Sequence, residues 1–183
     1  MKPMLHLCSM CFLIVLSLSV LGLVSGACGQ APEMKDIPRD TLIAAARDMM
    51  VKAKYCALIT LDESGHPRAR TMDTFPPDDN MVVWMGTSRI TRKVKEIRND
   101  PRVTLYYPDP DHAGYVLVYG TAKLVDDEKE KDKRWKEEYA VHFPEGKGGF
   151  ILIAVTPQRI EVSDYSRGIT GDSKTWQPPS ITF

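Results

Sequence analysis

Tyr55-Cys56-Ala57-Leu58-Ile59-Thr60-Leu61, then Asp62-Glu63-Ser64-Gly65-His66-Pro67, then Arg68-Ala69-Arg70-Thr71-Met72-Asp73 is the segment from which the architecture can be read. The first segment is rich in strand-forming residues, the second is a turn, and the third is a returning strand, so together they predict a β-hairpin. Downstream, Phe75-Pro76-Pro77-Asp78-Asp79-Asn80 reads as another turn and Met81 to Met85 as a third strand. Gly86-Thr87-Ser88 leads into a short helix from Thr91 to Asn99, which Asp100-Pro101 stops. Arg102 to Tyr107 is a fourth strand and Tyr115 to Val125 a fifth, with a polar loop from Pro108 to Gly114 between them. The consecutive apolar run Tyr115-Val116-Leu117-Val118-Tyr119 predicts that both faces of the fifth strand are covered, one by a barrel core and the other by a second subunit.

Asp126 to His142 reads as a charged, solvated helix with a thin stripe of Trp135, Tyr139 and His142. Phe150 to Val155 and Gln158 to Asp164 read as two further strands, broken at Thr156-Pro157. Upstream of the hairpin, Asp40 is an expected N-cap for a helix from Thr41 to Lys52, with Leu42, Ala45, Ala46, Met49 and Met50 as its apolar stripe. Seven strands with mainly hairpin connections, one helix in front and two between, predict a small antiparallel β-barrel with flanking helices.

The chain has 183 residues, with 24 Lys+Arg against 24 Asp+Glu. That neutrality excludes the broad basic field of a general nucleic-acid binder, and 43% hydrophobic with 26% charged residues excludes disorder. Lys2, the apolar run from Leu5 to Val24 and the small residues Ser25-Gly26-Ala27 follow the order of a secretory signal peptide over residues 1–27; a membrane-spanning anchor is the rival reading, and the small residues followed at once by Cys28 favour cleavage. Ser25-Gly26-Ala27-Cys28 also resembles a bacterial lipobox, with Ser25 where that motif has Leu or Val. Cys28 is therefore a candidate lipidation site, and simple cleavage after Ala27 is the alternative. Either way, an exported protein is expected, periplasmic or in the cell envelope, meeting a membrane only through its N-terminus. Residues 28–38 then form a tether, 39–166 the working domain and 167–183 a C-terminal tail. Of four cysteines only Cys56 lies in the body of the domain, which is no disulfide framework.

Thr87-Ser88-Arg89-Ile90-Thr91-Arg92-Lys93 concentrates cations and hydroxyls where a strand enters a helix. A helix N-terminus offers free backbone N–H groups and the positive end of the dipole, so cations there call for an anion, and a phosphate dianion suits. The competing reading is a solvated basic helix face, since Lys95 and Arg98 are nearby. Arg68 and Arg70, two apart on a strand, share a face and extend the candidate anion pocket. His66, His112 and His142 are scattered and lack metal-ligand spacing, so no metal site is expected. No Gly-rich phosphate loop occurs.

Three segments resemble the FMN-binding split-barrel proteins, pyridoxamine 5′-phosphate oxidase and its general stress protein relatives: Pro67-Arg68-Ala69-Arg70-Thr71-Met72, Trp84-Met85-Gly86-Thr87 through Thr91-Arg92-Lys93-Val94-Lys95-Glu96-Ile97, and Gln158-Arg159-Ile160-Glu161-Val162. The resemblance covers Tyr55 to Asp164 and implies a split antiparallel β-barrel, a homodimer and FMN as cofactor. It implies that Arg70, Thr71 and Met72 lie along the flavin ring, with Arg70 favouring negative charge on it. Thr87, Thr91, Arg92 and Lys93 would hold the phosphate, while Tyr115 and Val116 approach from a neighbouring subunit. No catalytic residue is identified. The true oxidase's segment after Ile-Glu and its terminal arginine signature are missing, since Val162-Ser163-Asp164 follow Ile160-Glu161. The resemblance thus implies an FMN-dependent oxidoreductase acting on a small redox substrate rather than a vitamin B6 oxidase. The alternative is a non-catalytic FMN- or haem-binding envelope lipoprotein.

Overall fold

The computed structural model describes residues 37–144 and 146–183. The expected signal peptide, Cys28 and nearly all of the tether lie outside the described residues. The seven strands are β1 (Tyr55–Leu61), β2 (Pro67–Asp73), β3 (Val83–Ser88), β4 (Arg102–Pro108), β5 (Tyr115–Val125), β6 (Phe150–Ser163) and β7 (Ser180–Thr182). The helices are α1 (Arg39–Ala53), α2 (Arg92–Asn99) and α3 (Glu128–Lys133). All strands join one antiparallel sheet in the order β2-β1-β4-β5-β6-β3, with β7 also on β6.

The hairpin forms as expected, with Tyr55 opposite Asp73 and Leu61 opposite Pro67. Its turn is tied by Asp62, whose Oδ1 accepts from the Ser64 and His66 amides, both at 2.9 Å. Alternate residues face a common interior: Cys56, Leu58 and Thr60 of β1, Val103, Leu105 and Tyr107 of β4, and Val116 and Val118 of β5. α1 closes this core with the five residues of its expected stripe, all buried. It starts at Arg39, with no side-chain cap, so Asp40 lies in the first turn rather than capping it.

Three elements differ from expectation. β6 does not break at Thr156-Pro157. Tyr119 pairs with Arg159 and Gly120 with Pro157, so Gln158 is an extra residue in a β-bulge. A bulge is where a strand tolerates proline, which has no N–H to donate. Both expected segments are therefore one strand, and the seventh is β7, whose Ile181 is buried in the core. β3 starts two residues late because Met81 (φ 61) is buried in the preceding turn, its amide bonded to the Asp78 carbonyl. The expected long helix ends at Lys133. Trp135 and Tyr139 then turn onto Phe150, with ring centroids 5.4 and 5.5 Å away, and Phe143 joins them at 5.2 Å. Burying these aromatics against β3 and β6 outweighs continuing a solvated helix.

Candidate functional site

β2 and β3 are the two ends of the strand path, and they meet at one point. Thr74 bridges Met85, and the Phe75 amide donates to the Trp84 carbonyl at 2.9 Å. Continued in register, the next pairs across this seam would be Asp73 with Gly86 and Met72 with Thr87, but neither forms. The barrel splits there. α2 follows β3 directly and spans the split with two side chains. Lys93 Nζ donates to Thr87 Oγ1 on β3 at 3.1 Å, while Glu96 Oε2 accepts from Arg70 Nη2 on β2 at 2.7 Å.

The fold thus brings five of the expected residues to α2: Thr87, Thr91 and Lys93 are linked through their polar atoms, and Arg70 and Arg92 share Glu96. Thr91 precedes α2 but does not cap it. Its Oγ1 donates to the Ser88 carbonyl at 2.8 Å and lies 3.3 Å from Thr87 Oγ1. The helix N-terminus therefore has no side-chain acceptor of its own, the state in which it best receives an anion. Arg70 is anchored inward, donating to Thr60 Oγ1 at 2.5 Å and the Leu58 carbonyl at 3.3 Å as well as to Glu96. Burial pushes the Lys93 ammonium below its ordinary pKa, and the positive charges of Arg70 and Arg92 push it further, against the pull of Glu96. Burial also opposes ionisation of Glu96, but the Thr60 hydroxyl, Arg70 and Arg92 hold its carboxyl below the usual range. Two guanidiniums thus flank one carboxylate, and the Lys93 ammonium lies with the two threonine hydroxyls.

The remaining expected residues lie elsewhere. Thr71 is exposed on the outer face of the sheet, and Met72 faces the core. Tyr115 begins β5, whereas Thr87 pairs with Ile151 beside the strand's far end, where Val125 meets Leu152. Ten residues of strand span roughly 33 Å, so Tyr115 and Val116 are not part of this chain's own cluster. The Val116 side chain is fully buried, while the Tyr115 ring lies 5.8 Å from that of Tyr106 on the outer face. Arg68 and Arg89 do not join the cluster. Arg68 pairs with Asp62 at 2.9 Å, and Arg89 makes a two-pronged bond to Asp126 at 2.6 and 2.7 Å. The sequence reading missed Thr60 and Glu96. Glu96, three residues after Lys93 and thus on its helix face, was the available signal.

A family model described as pyridoxamine 5′-phosphate oxidase like matches residues 43–171, well over half of the chain. General stress protein 26 of Bacillus subtilis is 29% identical over 120 residues, covering 63% of this chain and 83% of that protein. A Clostridium acetobutylicum protein related to general stress protein 26 superposes with a TM-score of 0.62 at 19% identity, covering 80% of this chain and 96% of that one. A pyridoxamine 5′-phosphate oxidase-related, FMN binding protein of Nostoc punctiforme superposes with a TM-score of 0.57 at 16% identity, covering 79% and 96%. The two structural likenesses show a shared split-barrel fold.

Proposed function

Because the chain belongs to the pyridoxamine 5′-phosphate oxidase-like family, we propose that it binds FMN at the split of its barrel and works as an FMN-dependent oxidoreductase of the general stress protein type. The observation that carries this reading is the donor set at the start of α2. A half-buried ammonium, the exposed guanidinium of Arg92 and two threonine hydroxyls lie at a helix N-terminus without a side-chain cap. That set fits a phosphate monoester, which brings close to two negative charges and three acceptor oxygens. None of these side chains is an imidazole or a thiolate, so the same corner does not suit haem iron.

In this reading Thr87, Thr91, Arg92 and Lys93 hold the phosphate, and the free edge of β2 at Arg70, Thr71 and Met72 lies along the ring. The Arg70 guanidinium is fixed by its three acceptors and keeps a positive charge beside the seam. A bound flavin would supply the redox chemistry, and the protein's part is to bind it, orient it and set the charge around it. In the same reading Tyr115, half-buried on the outer face, approaches the site of a second copy. Val116 can contribute there only through its backbone, because its side chain is in its own core. The experiment is a titration of the purified protein with FMN, followed by quenching of flavin fluorescence, in wild type and in Arg92→Ala/Lys93→Ala. Wild type binds and the double variant loses binding. Equal affinity in the two proteins would remove the phosphate site from this corner.

A further inference from the structure

We propose that Glu96 is the resident counter-ion of the α2 anion site, and that an arriving phosphate must take Arg92 from it, so that this one carboxylate sets how tightly the site holds its ligand. The inference rests on the phosphate-site reading above and adds the residue that tempers it.

The two guanidiniums around Glu96 are held very differently. Glu96 is 4% exposed, and its Oε2 is committed to Thr60 Oγ1 at 2.5 Å and Arg70 Nη2 at 2.7 Å. Arg70 itself has two further acceptors and is only 18% exposed, so it stays. Oε1 faces Arg92, with Nε 3.0 Å away, yet the angle is too poor for a hydrogen bond and the buried oxygen has no other partner among the described residues. The Arg92 side chain is 70% exposed, and a cleft of about 260 Å³ opens beside it between α2 and the β1–β2 turn. Arg92 is therefore the mobile partner, held by charge rather than by geometry.

A phosphate at the helix N-terminus offers Arg92 two aligned acceptors in place of one misaligned oxygen. That exchange costs the Glu96–Arg92 attraction and sets a buried carboxylate near a second anion. Glu96 therefore lowers affinity, while its hold on Arg70 keeps the β2 side of the site in place.

Calorimetric titrations of wild type and Glu96→Gln with inorganic phosphate, and separately with FMN, test this at low ionic strength. Glutamine keeps an acceptor for Thr60 and Arg70 and removes the charge. The variant should bind both ligands on the order of tenfold more tightly, with the gap narrowing as salt is added and nearly vanishing in an Arg92→Ala background. Equal or weaker phosphate binding by Glu96→Gln overturns the inference. A phosphate gain with no FMN binding by either protein sinks the flavin reading and leaves Glu96 in its role. FMN binding by wild type with no gain in the variant does the reverse. Should the variant not fold, the nitrogen-15 resonance of Arg92 Nε in wild type decides. It shifts as phosphate saturates the protein, and an unmoved resonance overturns the inference.

Discussion

On the reading we propose, Lys93 is the residue at the barrel's split that gains most from a bound anion. Burial and the charges of Arg70 and Arg92 disfavour its half-buried ammonium more than Glu96 favours it, and a phosphate beside it would reverse the sign of its surroundings. Single substitutions should separate the contributions. Lys93→Ala removes the better buried charge, and about 1.5–3 kcal/mol of FMN binding should go with it, the range for hydrogen bonds to charged groups. Arg92→Ala should cost less, because that side chain is 70% exposed and screened by water. Fluorescence-derived dissociation constants rank the two, and a larger loss for Arg92 would contradict the ordering. At this scale the sequence was informative about residue types: hydroxyls and cations at a strand–helix junction called for an anion. It was silent on pairing. Nothing in the spacing of Arg68, Arg70 and Arg89 says that the first and last are neutralised by Asp62 and Asp126, or that Arg70 turns inward to a carboxylate on another element.

Among the elements, β1, β2, β4 and β5 follow from strand-forming composition and from the turn residues that bound them, which agree. The misread elements are those where tertiary packing overrides a local signal. Pro157 looks like a strand end until β5 is laid beside it and the bulge absorbs it. The segment after Lys133 is helical by composition, but the rings of Trp135, Tyr139 and Phe143 are needed around Phe150. The bulge makes a sharp demand on Gly120. A Cβ added there would lie 2.4 Å from the Thr156 carbonyl oxygen, a backbone atom that cannot swing aside. Gly120→Ala should therefore destabilise the protein by about 1–3 kcal/mol, seen as a lower urea midpoint at unchanged slope. An unchanged midpoint would mean that the bulge yields freely.

For the whole molecule, the sheet's outer face and the carboxylate pairs each carry a prediction. The outer face of the sheet carries Ala57, Ile59, Tyr106, Tyr115, Leu117 and Tyr119, side by side in register and only partly covered. A stable dimer buries about 800 Å² per partner, and this face is the surface we propose for it. Sedimentation velocity should give twice the chain mass, and Leu117→Lys should halve it; a monomeric wild type would remove the neighbouring-subunit role of Tyr115. The second concerns acid stability. Hydrogen bonds from the Arg102 side chain and amide hold the Asp100 carboxyl down to about 2. Arg89 and Lys131 hold Asp126 well below the usual carboxylate range, and Thr60, Arg70 and Arg92 do the same for Glu96 against the opposing effect of burial. Folded values below the unfolded ones (3.8 for Asp, 4.5 for Glu) mean that this stability is present above roughly pH 4.5 and lost as pH falls through them. The melting temperature should drop steeply between about pH 4 and pH 2, and a flat profile over that window would contradict these pairings.

On the reading we propose, the basic, hydroxyl-bearing start of α2 recognises the phosphate of a flavin nucleotide. The decisive experiment titrates the purified protein with FMN and with riboflavin, which differ by that phosphate alone. FMN should bind, with riboflavin at least about tenfold weaker, a smaller gap than one charge-assisted hydrogen bond would give being hard to reconcile with the site. Equal affinities for the two, or no binding of either, would contradict it.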